Sequence, residues 1–531
     1  TMRELNADIA IIGGGVGGVA AALAACAAGK RVVMTDPYAW IGGQLTSQAV
    51  PPDEHPWIET HGSTRRYRRY RELVRSDYRH FYPLTAAARA EPHLNPGGGW
   101  VSPLCHEPAV AHAVICAMLR PYEAAGRLVI QRQTRPVAAA VEGRRVVAVE
   151  CRDISGEIVV VMAPYFLEAS ETGDLIHLAQ IAHRSGTESR SDTGEPSAPD
   201  IGDPNDMQAA TMVMALEHVD GDNTIERPAD YDHWRAAWPK GWPNPLLDWT
   251  YPNPRTLAPV TPRFRPNIPA GHESHEEALL MPDLWSYRRI ISRANFEPGF
   301  FRSDVTLVNW PMNDYLEGAV YGVPDADDHV RRAGQLSLSL LYWLQTGAPR
   351  PDGGRGYPGL RLRPDITGTS TGLAQAPYIR EGRRIRALTT VREQDIAVAH
   401  RDGGALHYDN SVGVGAYRID LHPTTGGANY LDVAALPFEI PLGALIPEDM
   451  VNVIAAGKTL GTTHITNGCY RVHPSEWSIG EAAGTLASYC LDSASAPKDV
   501  WNTAPKTAEL QRRLVEGGSD LAWTNNERLA V

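Results

Sequence analysis

An α/β fold organised around a parallel sheet is predicted by three observations. The apolar run Ile9-Ala10-Ile11-Ile12 ends on a glycine cluster, Gly13-Gly14-Gly15-Val16-Gly17-Gly18. That cluster opens an alanine-rich segment, which is followed by a second apolar run, Val32-Val33-Met34-Thr35, closed by Asp36 and Pro37. Near the other end of the chain, residues 451–456 are again apolar and lead into a segment of small residues. A buried strand, a glycine turn, a helix and a second buried strand make a βαβ unit of the dinucleotide-binding type.

Each glycine has its own task. Gly13 permits the tight turn out of the strand, Gly15 lets backbone approach a pyrophosphate where a Cβ would intrude, and Gly18 lets the helix pack close to the sheet. Gly17 lies in the same turn. The first N–H groups of the helix and its positive dipole end face an anion, while Ala20, Ala21, Ala22, Ala24 and Ala25 keep its packing face small. Asp36 is placed to accept from a ribose hydroxyl. The turn alone does not separate FAD from NAD(P).

Further along, Gly42-Gly43-Gln44 forms another glycine loop, and residues 63–80 read as an amphipathic helix. Tyr67, Tyr70, Val74 and Tyr78 fall on its inner face and Arg65, Arg68, Arg75 and Arg79 on a solvated one. A helix over 108–125 precedes three strand-like runs, 128–131, 146–151 and 158–162, which predict a three-stranded meander. A buried strand over 165–168 then stops near the Thr172-Gly173-Asp174 turn and is expected to return to the nucleotide sheet. From residue 186 the composition shifts toward Pro, Trp, Asp and Asn. Trp234, Trp238, Trp242, Trp249, Trp285 and Trp310 are read mainly as packing residues. The apolar run 451–456 leads through Gly457 and Lys458 to a helix expected over 479–489 and reinstates the first domain.

The chain has 531 residues, enough for two or three domains. Hydrophobic residues make up 43% and charged residues 21%, which is globular composition, and a net charge of −12 argues against a nucleic-acid partner. The apolar stretch 9–28 is broken by glycines where a membrane span would be strongest, so no membrane partner is expected. Six cysteines without a C-x-x-C pair give no zinc ribbon, redox pair or iron–sulfur site, and a reduced, cytoplasmic protein is the expectation. Gly271-His272-Glu273-Ser274-His275-Glu276 fails the H-E-x-x-H spacing.

Several segments together carry a resemblance. They are Gly13 to Gly18 with Asp36, Trp40 to Gln48, Val50 to His55, Thr172-Gly173-Asp174, Leu284 to Arg289, Leu307 to Tyr315 and above all Asn467 to Gly484. This set resembles a bacterial family of FAD-dependent oxidoreductases with the glutathione-reductase-type flavoprotein fold. The resemblance implies a discontinuous Rossmann-like FAD-binding domain, residues 5–185 and 381–495, with an inserted α+β substrate or cap domain at 186–380 and a helical tail at 496–531.

For FAD, the residues implied are Gly13, Gly15, Gly17, Gly18, Asp36, Pro37, Gly42, Gly43, Gln44, Thr46, Thr172, Gly173, Asp174, Gly457, Lys458, Glu476, Ile479 and Gly480. Gly480 to Gly484 is expected to set a helix N-terminus against the flavin pyrimidine, where its dipole favours the reduced form. Hydride transfer to flavin N5 requires a base near the ring. His473 is the first candidate, followed by His464, Glu476 and His55, with Arg471 and Lys458 placed to stabilise an anionic flavin or a substrate carboxylate. Cys469 is read as a buried, inert thiol. A dehydrogenase or oxidase acting on a small organic substrate is the leading reading. A monooxygenase, a double-bond reductase and an electron-transfer protein are the alternatives. Oligomeric state is left open, a homodimer included.

Overall fold

The computed structural model describes residues 2–269, 281–524 and 531. The segment 271–276 examined for a zinc site lies outside them. At the centre is a five-stranded sheet, every pairing parallel, in the order Val453–Ala455, Tyr165–Glu168, Ile9–Ile12, Val32–Thr35, Leu128–Gln131. The three central strands are buried along their whole length, which is why they read as unbroken apolar runs rather than alternating ones. Both expected returns to the sheet occur, at 165–168 and at 453–455.

The meander differs from expectation. Leu128–Gln131 is the edge of the parallel sheet, and its predicted place is taken by Thr134–Glu142, which pairs with Arg145–Asp153 and then Ile158–Met162. Met2–Asn6 adds a fourth, parallel strand to this second sheet. Pro136 and three consecutive alanines deprive 134–142 of β-propensity and of an apolar alternation, and a register shift at Pro136 accommodates the proline.

Helix Val16–Ala27 crosses helix His473–Ser493 on small residues. A Cβ built on Gly480 would stand 2.1 Å from the Gly17 carbonyl oxygen, and one on Gly484 would stand 2.4 Å from that of Ala21. The two backbones therefore touch, and no larger side chain fits between them. On the other side, a Cβ on Gly17 would meet Ala456 O at 1.9 Å, so the helix start is wedged against the end of the last strand. Another four-stranded antiparallel sheet, Arg289–Ile291, Val305–Val308, Met214–His218 and Leu360–Leu362, lies in the stretch 186–380.

Helix Arg65–Phe81 starts at Thr64, whose side chain accepts from Tyr67 N. Its tyrosine face is buried as expected. Arg75 is buried as well, as is Arg71: both pair with Glu59, and Arg71 also pairs with Glu54. Positions 71 and 75 are one helical turn apart and border the tyrosine stripe, so an inward-facing acidic loop captures them.

Candidate functional site

Gly13 turns the chain at φ +109°, and a Cβ there would meet Ala169 O at 2.3 Å, so both conformation and space demand glycine. Gly14 N donates to Asp36 Oδ2 (3.0 Å) and Tyr38 N to Asp36 Oδ1 (2.8 Å), with Pro37 inside the turn that the second bond closes. Asp36 thus ties the end of the second strand to the glycine turn, and burial pushes its pKa up to about 7. Each carboxylate oxygen has two lone pairs, which leaves acceptor capacity for a ribose hydroxyl. Gly42, at φ +112°, donates its N–H to Gly14 O (2.7 Å), and this lays the second glycine loop across the first.

Between the two loops is a carboxylate. Cβ atoms built on Gly15 and Gly43 would lie 2.5 and 2.7 Å from Glu171 Oε1, and the next atom near Gly15 is 3.7 Å off. Glu171 pairs with buried Lys458, whose Nζ also donates to Ile379 O (2.5 Å). Glu476 Oε2 accepts from Gln44 Nε2 (2.5 Å). Burial first, and the charge of Glu171 second, push the Glu476 pKa up to about 7. The start of helix Val16–Ala27 therefore already holds an anionic group on a flexible side chain, in a cradle that Cβ atoms would fill.

Other predicted cofactor residues act from further back. Thr46 Oγ1 donates to Ile41 O (2.7 Å) and shapes its own loop. Thr172 Oγ1 donates to Asp174 Oδ1 (2.6 Å), and Gly173, at φ +74°, packs against Arg383. Missed from the sequence is Glu168, fully buried, which accepts from Ser170 N (2.7 Å) and from Leu175 N (2.7 Å) and so fastens this turn to the sheet. Gly457 adjoins Glu476, its built Cβ 3.2 Å from Oε1. The expected helix start at Gly480 is corrected: the helix begins at His473, and Ile479 and Gly480 lie within it, Gly480 serving the contact with Gly17.

The candidate bases separate. His55 donates through Nε2 to Gly62 O (2.9 Å) within an aromatic cluster with Trp57 and Trp523, and burial lowers its pKa to about 4. His464 pairs with Glu381 (2.9 Å); burial opposes its charge, but that carboxylate outweighs burial and raises its pKa. His473 is fully buried, and burial lowers its pKa to about 3. Its Nδ1 accepts from Asp53 N (3.0 Å), so in the neutral ring Nε2 carries the proton and no lone pair is left to take one. His473 thus holds the backbone of Asp53. Cys469 is buried and donates to Thr466 O (3.2 Å), an inert thiol whose pKa burial raises.

A single cavity collects the remaining chemistry. Asp53, Trp100, Tyr251, Tyr287, Arg288, Asn309, Tyr378, Arg380, Tyr417, Asp420, His422, Tyr430 and Arg471 line it. Arg471 joins it to the glycine loops: its carbonyl oxygen accepts from Gln44 Nε2 (2.9 Å), and its guanidinium donates to Tyr378 OH (2.7 Å) in the cavity wall. Of the tryptophans singled out in the sequence none lines this cavity, whereas Trp100 does. Asp53 stood one residue from the Glu54-His55 pair in a segment already noted, but an isolated aspartate carries no spacing signal.

A parallel sheet, a phosphate-type glycine turn and a second glycine loop laid across it define the class as a dinucleotide-binding α/β protein. The chain belongs to the FAD dependent oxidoreductase family, whose model matches residues 8–514. It is an FAD-dependent enzyme, and the Gly15–Gly43 cradle with its acidic Asp36 fits that cofactor. No curated protein sequence matches. Among solved structures, the chain is similar to a geranylgeranyl bacteriochlorophyll reductase-like protein from Thermoplasma acidophilum, at 10% identity and a TM-score of 0.32, over 98% of this chain and 85% of that one. It is also similar to L-proline dehydrogenase from P.horikoshii (13% identity, TM-score 0.18, 35% and 25% covered) and to the myxobacterial chondrochloren halogenase CndH (18%, 0.22, 42% and 45%). The matched stretch thus spans less than half the length of those two proteins. Among the described residues no helix is long and apolar enough to cross a membrane, and no group of His, Cys, Asp and Glu is arranged to hold a metal ion.

Proposed function

We propose that the enzyme is a dehydrogenase or oxidase that removes hydride from a small organic substrate held in the cavity lined by Asp53 and Arg471. The observation that carries this reading is the double engagement of Arg471, with its backbone on Gln44 of the glycine loop and its side chain in the cavity wall. When bound, FAD supplies the two-electron acceptor. The protein's own part is to orient and desolvate. Buried guanidinium and carboxylate groups act strongly in such a site because little water screens them.

The cavity draws on three stretches of the chain. Asp53 and Trp100 come from the first, Tyr251 to Arg380 from residues 186–380, and Tyr417 to Arg471 from the last. This supports reading 186–380 as a substrate or cap domain over a discontinuous FAD-binding domain. Anaerobic titration of the FAD-loaded enzyme with small organic substrates tests the proposal. Bleaching of the flavin without nicotinamide is the expected result. Bleaching only by NAD(P)H, with oxygen entering the product or a double bond reduced, overturns it. So does reduction only by a partner protein.

A further inference from the structure

Two oppositely charged groups in the cavity wall feel each other's charge but make no direct ion pair. Asp53 is 7% exposed and Arg288 8%. Neither forms an ion pair among the described residues, and both line the cavity. The backbone of Asp53 is fixed by His473, yet its carboxylate has no hydrogen-bond donor among them. Arg288 donates through Nη1 to Asn309 O (2.5 Å) and lies over the Tyr287 ring at 4.2 Å, while its Nε has no acceptor. The neighbouring arginines are already matched, Arg380 by Asp314 (3.3 Å) and Arg471 by Asp420 (3.5 Å). Burying an unpaired charge costs several kcal/mol, so a cavity that keeps one of each sign is built for a ligand that satisfies both.

We infer that the cavity binds a small carboxylic acid bearing an amino or hydroxyl group next to the carboxylate, with Arg288 holding the carboxylate and Asp53 accepting from the N–H or O–H. Guanidinium and carboxylate match in planar, bidentate geometry, and Asp53 offers only acceptors. Tyr251, Tyr430 and Trp100 give the rest of the molecule an aromatic wall. The inference rests on the proposed oxidation only for the claim that this ligand is the substrate; the binding site stands apart from it.

Calorimetric titration of the FAD-loaded enzyme with four compounds of one skeleton tests it: phenylalanine and 3-phenyllactate, each as both enantiomers, against 3-phenylpropionate, which lacks the donor, and 2-phenylethylamine, which lacks the carboxylate. Phenylalanine or phenyllactate is expected to bind at least about 10-fold more tightly than either truncated compound. Arg288→Gln is expected to abolish the preference over phenylethylamine, and Asp53→Leu, which removes the acceptor, the preference over phenylpropionate, with flavin content unchanged in both. Equal binding of all four, or binding of none at millimolar concentration, overturns the inference. Preferential binding without flavin bleaching upholds the site and overturns the oxidation. Bleaching by phenylethylamine at undiminished affinity does the reverse.

Discussion

The glycine cradle and the cavity beside it are built on opposite principles. Around Gly13, Gly17 and Gly480, backbone meets backbone, and the arrangement depends on side chains being absent. Around Asp53, Arg288 and Arg471, side chains from distant segments converge, and function depends on the charges they bring. Within the cradle itself there is a further division. Gly17 and Gly480 have carbonyl groups about where a Cβ would stand, whereas Gly15 faces only the movable tip of Glu171. At two of these positions glycine is required by the backbone packed against it, and at the third only a side-chain tip stands in the way.

That division is testable by substitution. Gly480→Val drives a branched side chain into the Gly17 carbonyl and is expected to cost about 3 kcal/mol or more, seen as loss of folded protein in thermal denaturation, with added FAD giving no rescue. Gly15→Val is expected to keep the fold, within about 1 kcal/mol of the parent by denaturation, yet to purify with less than about a tenth of the flavin. A colourless but unfolded Gly15 variant would erase the distinction between the two glycines.

The carboxylates at the helix start sharpen it further. Glu476 has its pKa raised in the folded protein to about 7, from an ordinary carboxylate value of 4.5. The folded state then binds the proton more tightly than the unfolded state. The stabilisation is complete below the unfolded value and is lost as pH rises from about 4.5 through about 7. Glu476→Gln is expected to flatten that decline by an amount on the order of 1–3 kcal/mol, while its amide oxygen still accepts from Gln44. Denaturant titrations at pH 5 and pH 8 measure it. Smallest is His55→Phe, which loses the bond to Gly62 O and is expected to cost about 1 kcal/mol, with flavin content and substrate titration unchanged.

The contrast also explains what could be read from the sequence. Backbone-driven features repeat a local pattern, so the βαβ unit, the glycine turns at 13, 42 and 173, and the returning strand at 453–455 were all legible. The interlock of Gly17 with Gly480 was not, because each glycine alone is ambiguous and only the folded crossing pairs them. The strand 134–142 was hidden by Pro136 and its alanines, and the pairing of Arg71 and Arg75 with Glu59 by an apparently solvated charge pattern. Histidine drew attention as the familiar base, yet the hydrogen bond from Asp53 N to His473 spends the lone pair that a base requires. Asp53 and Arg288 lie far apart in the sequence, and neither has a local signature.

The most direct test of the cradle is a crystal structure of the enzyme with FAD bound. The pyrophosphate is expected against Gly15 and Gly43, with the Glu171 carboxylate swung out of the space it takes between them. A pyrophosphate bound elsewhere, with Glu171 still lodged between the two glycines, would contradict the account.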